Sequence, residues 1–190
     1  VYHDILQPYT PTIADELSKL DPYGYYSFFD IQYMALVVNK DLEAELGITI
    51  NGYQDLLNPA LKGKIIMADP AASSSAYRQF HTILALMGDE FGDDKAWAYI
   101  DELIKNADGV ITTSSSTVFK SVISGEYVVG LTYENIVEMQ ITINGADNIR
   151  LVYPVEGNTA CASGAAMIKD CQRPEAAAAF LDFCASADYQ

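Results

Sequence analysis

Met67-Ala68-Asp69-Pro70-Ala71-Ala72-Ser73-Ser74-Ser75-Ala76-Tyr77 joins a predicted strand at residues 64–67 to a predicted Ala-rich helix that ends near Met87. Pro70 turns the chain, and Ser73, Ser74 and Ser75 open the helix. The first N–H groups of a helix have no partner within the helix and carry the positive end of its dipole. The three serines therefore predict either an ordinary N-cap or a site for an anionic, oxygen-rich ligand.

A second hydroxyl-rich junction, Thr112-Thr113-Ser114-Ser115-Ser116-Thr117, precedes a predicted helix at residues 118–124. A third polar segment, Thr132-Tyr133-Glu134-Asn135, ends the strand that we predict at residues 127–133. Ligands of open α/β sheets bind beyond the carboxyl ends of the strands. The three junctions together predict one ligand site, formed by Ser73, Ser74, Ser75, Ser114, Ser115, Ser116, Tyr133 and Glu134.

Strand-like and helix-like segments alternate along the chain, without an internal repeat. Residues 25–39 are rich in aromatic and β-branched side chains, which predicts one or two strands. The alternation predicts an α/β fold with a mixed or mostly parallel sheet. Further helices are predicted at residues 13–20, 52–57, 93–106, 135–143 and 174–186, and further strands at residues 150–153 and 165–169.

The composition excludes several classes of partner. Of the 190 residues, 11 are basic and 26 are acidic, which gives a formal net charge of −15. Such a chain lacks the basic surface that nucleic acids and anionic membranes require. No apolar run approaches the length of about 18 residues that a membrane-spanning helix needs. An anionic ligand stays compatible with this charge, because amides and hydroxyls inside a cleft create their own local field.

Catalytic motifs are absent from the sequence, which contains no Gly-x-Ser-x-Gly, no His pair with metal-binding spacing and no Walker loop. We therefore expect a binding protein without a cofactor rather than an enzyme. Three cysteines without a Cys-x-x-Cys pair argue against a structural zinc site. Cys184 is expected to be buried on the last helix, and a disulfide between Cys161 and Cys171 is left open as an alternative.

Five segments of the chain, taken in order, resemble the substrate-binding proteins of bacterial ABC importers. The resemblance covers nearly the whole chain and is strongest to the branch for ferric iron, phosphonates and related small anions. The segments are Leu36-Val37-Val38-Asn39-Lys40-Asp41, Tyr53-Gln54-Asp55-Leu56-Leu57-Asn58-Pro59-Ala60-Leu61-Lys62-Gly63-Lys64-Ile65, Ala68-Asp69-Pro70 with its continuation to Tyr77, Ser124-Gly125-Glu126-Tyr127-Val128-Val129-Gly130-Leu131-Thr132-Tyr133-Glu134 and Pro174-Glu175-Ala176-Ala177.

The resemblance implies an α/β fold of the type II periplasmic-binding-protein kind, in which a lobe has a mixed β-sheet flanked by helices and two lobes close on the ligand like a hinge. Residues 1–37 are then expected to form the connection from the first lobe and a hinge strand. Residues 38–145 would form the second lobe, and residues 146–190 the return strands and helix toward the first lobe. The chain is expected to lack most of that first lobe.

The resemblance also bears on the ligand. Ferric-binding members of the family use adjacent tyrosines at the strand end where this chain has Thr132-Tyr133-Glu134, with one tyrosine and one carboxylate. The serine junctions instead resemble the loops that hold anions in phosphonate-binding and phosphate-ester-binding relatives. We therefore expect a small anion of that type and no metal. Ferric iron bound by Tyr133 and Glu134 is the alternative, and Arg78 is expected to be a surface residue.

Further implications of the resemblance concern partners and location. The expected partners are a membrane permease and its ATPase, and the expected location is periplasmic or extracellular. Lipid anchoring of a full-length protein is left open. A second alternative is a ligand-sensing module of a receptor, because its ligand chemistry would be the same.

Overall fold

The computed structural model describes residues 4–16, 21–186 and 188, and these residues form two compact units. The larger unit contains residues 33–160 and includes all three polar junctions. The smaller unit contains the described parts of residues 1–32 and 161–190. The assignment of lobes with boundaries at residues 38 and 145 stays a prediction.

Strands and helices alternate through most of the described chain, which confirms the predicted α/β class with a mixed sheet. Short 3-10 turns occur at Ala14–Glu16, Gln54–Leu57 and Pro59–Leu61. The strands are β1 (Leu6–Gln7), β2 (Ser27–Asn39), β3 (Ile65–Ala68), β4 (Ile111–Thr112), β5 (Val129–Tyr133), β6 (Ile149–Val152), β7 (Ala160–Ala165) and β8 (Met167–Ile168). The helices are α1 (Lys40–Glu45), α2 (Ser74–Leu86), α3 (Asp94–Asn106), α4 (Ser115–Ile123), α5 (Glu134–Thr142) and α6 (Pro174–Ala185).

The sheet of the larger unit has the strand order β4-β3-β5-β2-β6. Strand β3 pairs in parallel with both β4 and β5, whereas β2 runs antiparallel to both β5 and β6. Parallel neighbours need a crossover connection, and α2 and α3 supply one between β3 and β4. The carboxyl ends of β3, β4 and β5 therefore lie at the same edge of the sheet.

Two clusters of buried apolar residues cover the sheet of the larger unit. Alternate residues of one strand belong to different clusters, as with Leu36 and Val37 of β2, so the clusters lie on opposite faces. The first cluster includes Ile83 of α2 and Leu103 of α3, and the second includes Val118 of α4. Helices on both faces explain why all four residues of β3 are buried.

Some predicted boundaries were wrong. Helix α4 begins at Ser115, three residues earlier than predicted, so Ser115 and Ser116 of the serine run are helical. Helix α1 was not predicted, although Asn39 caps it by accepting hydrogen bonds from the backbone N–H groups of Asp41 and Leu42. The strands β1 and β4 were also missed, because two residues carry no periodicity.

Other expectations of the sequence also need correction. The segment 52–57 contains a 3-10 turn rather than an α-helix. A 3-10 turn also replaces the first part of the helix predicted at 13–20, and residues 17–20 of that prediction lie outside the described residues. Cys161 and Cys171 are both free, so the alternative of a disulfide between them is wrong. Cys184 is buried on α6, as expected.

The smaller unit contains an antiparallel pair of two-residue strands, in which Leu6 of β1 lies opposite Ile168 of β8. Pro174 occupies the first turn of α6, where its missing N–H leaves no hydrogen bond unmade. Across both units, none of the helices that the structure describes is long and apolar enough to cross a membrane.

Gly130 of β5 allows α4 to pack closely on the sheet. A Cβ atom at this position would lie 2.6 Å from Val118 Cγ1, and Val118 is fully buried and stiff about its first side-chain torsion. We expect Gly130→Ala to lower the free energy of unfolding by about 1–3 kcal/mol, measured by urea denaturation. In the double variant with Val118→Ala the losses should be less than additive. A Gly130→Ala protein of unchanged stability would contradict this packing.

Glu43 and Arg150 form a mostly buried ion pair that joins α1 to β6. Arg150 Nε donates to Glu43 Oε2 at 2.9 Å and Arg150 Nη2 donates to Oε1 at 2.5 Å. The backbone N–H of Ile50 donates to Oε1 at 2.7 Å. Burial raises the pKa of Glu43, but the hydrogen bonds from Arg150 and Ile50 together with the Arg150 charge outweigh it, so the pKa lies below its usual value.

Because the folded-state pKa of Glu43 is lowered, this carboxylate stabilises the fold above its ordinary pKa, and the contribution disappears as the pH falls through the folded-state pKa. We expect Glu43→Gln to cost about 2–3 kcal/mol at neutral pH, less than a fully buried pair, because Arg150 is partly exposed. Urea denaturation of both proteins between about pH 7 and pH 3 should show the difference shrinking on acidification. A difference independent of pH would contradict the assignment.

Candidate functional site

Three helix N-termini meet at one edge of the sheet in the larger unit. Strands β3, β4 and β5 are parallel, and each is followed at its carboxyl end by a helix, namely α2, α4 and α5. The predicted site residues occupy these three junctions. The sheet topology therefore places all of them at the same edge, where the positive ends of three helix dipoles lie.

The two serine junctions line one pocket. It has a volume of about 320 Å³ and is lined by Ala72, Ser73, Ser74, Thr113, Ser114 and Ser115. Ser75 and Ser116 do not line the pocket, and Ser75 is only 5% exposed. Tyr133 and Glu134 lie at the same edge but do not line the pocket. We name the pocket the serine pocket.

The two serine junctions share one hydrogen bond between side chains, which joins the first and third serines of each run. The hydroxyls of Ser73 and Ser75 share a hydrogen bond of 2.8 Å, and those of Ser114 and Ser116 share one of 2.9 Å. The middle serines, Ser74 and Ser115, are the first residues of α2 and α4 and are exposed. Within the described residues their hydroxyls have no hydrogen-bond partner, so one free hydroxyl from each helix remains available in the serine pocket.

The helix termini differ in how they are capped. The Ser73 hydroxyl accepts a hydrogen bond from the Ala76 N–H at 3.4 Å, which caps α2. Neither Ser114 nor Tyr133 caps its helix through its side chain. The first N–H groups of α4 thus lack a side-chain acceptor, and such groups bind anions readily.

Arg78 and Tyr133 connect α2 to the end of β5. Arg78 Nη1 donates a hydrogen bond to the Tyr133 hydroxyl at 3.5 Å, and both side chains are half-buried. The expectation that Arg78 is an outward-facing surface residue was therefore wrong. The spacing offered a signal for this position, because Arg78 lies four residues after Ser74 and so on the same face of α2. It brings a positive charge to the edge that carries the serine pocket.

Glu134 interacts with Tyr153 rather than with Arg78 or the serines. Burial, a hydrogen bond with Glu134 and the charges of Glu134 and Glu138 raise the pKa of Tyr153 to about 12. Glu134 Oε2 is buried and has no hydrogen-bond partner among the residues that the structure describes. Among all the residues that the structure describes, no group of three or more His, Cys, Asp or Glu side chains could hold a metal ion. The participation of Tyr133 and Glu134 in ligand binding stays a prediction, as does that of the six serines.

The family model for bacterial extracellular solute-binding proteins matches residues 1–190. An uncharacterized protein from Haemophilus influenzae is 27% identical over 194 residues, which make up 98% of this chain and 54% of that protein. The structure of the periplasmic binding protein AfuA from Actinobacillus pleuropneumoniae, with exogenous fructose-6-phosphate bound, is 28% identical with a TM-score of 0.82, over 97% of this chain and 58% of that chain.

A structure of a two-component system protein that mediates signal transduction is 25% identical with a TM-score of 0.79, over 97% of this chain and 59% of that chain. This chain therefore spans between half and three fifths of the length of these similar proteins. The structural similarity to AfuA confirms the predicted type II periplasmic-binding-protein fold.

The capping difference leads to a stability test. We expect Ser73→Ala to lower the free energy of unfolding by about 1 kcal/mol, because it removes the cap of α2. Ser114→Ala, at the matching position of α4, should change stability by less than about 0.5 kcal/mol, because this hydroxyl caps nothing. Thermal or urea unfolding of both variants measures the difference. Equal losses would show that the two serines have the same structural role.

Proposed function

The chain belongs to the family of bacterial extracellular solute-binding proteins, and we propose that it captures a small anion of the phosphonate or phosphate-ester type for an ABC importer. The observation that carries this proposal is the serine pocket. Two helix N-termini face it, and Ser74 and Ser115 each contribute a hydroxyl without a partner among the described residues. Neutral donors of this kind suit the oxygens of a tetrahedral anion.

The charges close to the serine pocket favour an anionic ligand, although the net charge of the chain is negative. The chain as a whole carries a net charge of −15, which repels anions at long range. At short range, the helix dipoles and the hydroxyls supply partial positive charge, and Arg78 supplies a full one. Salt screens charges that lie more than about 8–10 Å away, so the local groups dominate inside the pocket.

The surroundings of Tyr133 favour an anion over ferric iron. The guanidinium of Arg78 donates to the Tyr133 hydroxyl. This hydroxyl is the oxygen that the ferric alternative would use as a ligand, and a neighbouring cation repels a trivalent metal ion. Glu134, the second ligand of that alternative, lies beside Tyr153. Ferric iron is therefore the less favoured solute.

The similarity to known proteins supports a phosphorylated solute and a role in transport. AfuA, at 28% identity, was solved with fructose-6-phosphate bound, and a sugar phosphate falls within the proposed class of phosphate esters. By the family relation, the partners would be a permease and its ATPase, with the protein outside the cytoplasm. A sensory role is the second candidate, because a structure from a two-component system is 25% identical over 97% of this chain.

The middle serines provide the test of the proposal. The chain is first screened by thermal shift against inorganic phosphate, methylphosphonate, fructose 6-phosphate and ferric citrate, and titration calorimetry gives the affinities. We expect the combination of Ser74→Ala and Ser115→Ala to weaken binding of the phosphorylated compound by about 1–3 kcal/mol per lost hydrogen bond, because each hydroxyl donates to a charged oxygen. The fold should change little, since neither hydroxyl has a partner among the described residues.

Ser124→Ala is the matched control, because Ser124 follows the other end of α4 and its hydroxyl donates to the Ser121 carbonyl. It should leave affinity unchanged. Unchanged affinity in the double variant would exclude the serine pocket as the site. Stabilisation by ferric citrate alone would instead favour the iron alternative, and Tyr133→Phe should then abolish it.

A further inference from the structure

We infer, on the basis of the function proposed above, that Gln79 is a positioning residue that holds the serine pocket and the Arg78–Tyr133 pair in a fixed relation. Gln79 lies on α2 directly after Arg78 and is only 1% exposed. It does not line the serine pocket. Its effect on the ligand would therefore pass through the residues beside it.

The side-chain amide of Gln79 links three separate parts of the larger unit. Its Nε2 donates to the backbone carbonyls of Ala35 at 2.9 Å and of Thr132 at 2.6 Å. Its Oε1 accepts a hydrogen bond from the Tyr53 hydroxyl at 3.0 Å. One buried amide thus joins α2 to β2 and β5, at the point where Ala35 lies opposite Thr132 in the sheet.

The hydrogen bonds of the Gln79 amide lie next to the Arg78–Tyr133 pair. Thr132 immediately precedes Tyr133, and Gln79 immediately follows Arg78, so the amide fixes the backbone on both sides of the Arg78–Tyr133 hydrogen bond. Ser74 begins the same helix five residues earlier. A shift of α2 along β5 would therefore separate Arg78 from Tyr133 and would also move Ser74 relative to Ser115.

The two backbone carbonyls fix which way the Gln79 amide points. A carbonyl can only accept a hydrogen bond, so the amide nitrogen faces Ala35 and Thr132. The amide oxygen then faces Tyr53, whose hydroxyl donates to it. Buried networks whose members are all satisfied in this way are rigid, and a rigid site loses less freedom when it binds a ligand.

The first test needs no ligand. Tyrosines labelled with ¹³C at Cζ give one NMR signal each, and Tyr133→Phe identifies the signal of Tyr133 among the 13. Arg78→Ala shows where this signal moves when the guanidinium is lost. We expect Gln79→Met, which keeps the volume but removes both donors, to move the signal of Tyr133 in the same direction. Tyr53→Phe is the control for lost stability. It removes the bond to Gln79 Oε1 but leaves both hydrogen bonds from Gln79 Nε2 intact, so it should leave the Tyr133 signal in place.

The second test measures coupling through affinity for fructose 6-phosphate. We expect Gln79→Met and Arg78→Ala each to weaken binding about tenfold, and the double variant to bind about as weakly as Arg78→Ala alone. Additive losses, or a Tyr133 signal that Gln79→Met does not move, would overturn the positioning role. If the unaltered chain binds none of the anions in the screen, the proposed function fails, while the NMR comparison still decides whether Gln79 positions Tyr133.

Discussion

The parallel pairing of β3 with β4 and β5 is the constraint on which the site depends. Parallel neighbours cannot be joined by a tight turn, so helices must carry the chain back across the sheet. Each helix then begins at the same edge at which its preceding strand ends. The serine pocket is a direct consequence, because the chain has hydroxyl residues at two of these starting points. The close packing at Gly130 serves the same arrangement by bringing α4 against β5.

The serine runs combine a structural role with the binding role that we propose, and different neighbours carry the two. In each junction the first and third hydroxyls bond to each other, and the middle one has no partner among the residues that the structure describes. An ordinary N-cap would need only one serine. The same pairing occurs in both runs, and both Ser74 and Ser115 are exposed. In the first run Ser73 caps α2 and Ser74 is the proposed ligand residue, whereas in the second run Ser114 does not cap α4 through its side chain.

The sequence predicted the features that depend on local chemistry. A buried strand, a turn at Pro70 and a run of serines are sufficient to predict a strand followed by a helix, and their repetition predicted one edge with several polar groups. The features of the site that it did not predict depend on distant contacts. Gln79 bonds to carbonyls 44 and 53 residues away, and Arg78 to a hydroxyl 55 residues away. Gln79 leaves no periodic pattern. The spacing of Arg78 from Ser74 indicates a shared helix face, but it does not identify Tyr133 as the partner of Arg78.

A ligand of the proposed class must compete with water in this open, polar pocket. Before binding, water can satisfy the free hydroxyls of Ser74 and Ser115 and the uncapped N–H groups of α4, so each new hydrogen bond to the ligand yields only a small net gain. Affinity then depends on donors that are already in place, because a site that must order itself on binding loses much of that gain. The rigid elements behind the pocket supply this order. The serine pairs fix the loops, and the buried amide of Gln79 fixes α2 against the sheet.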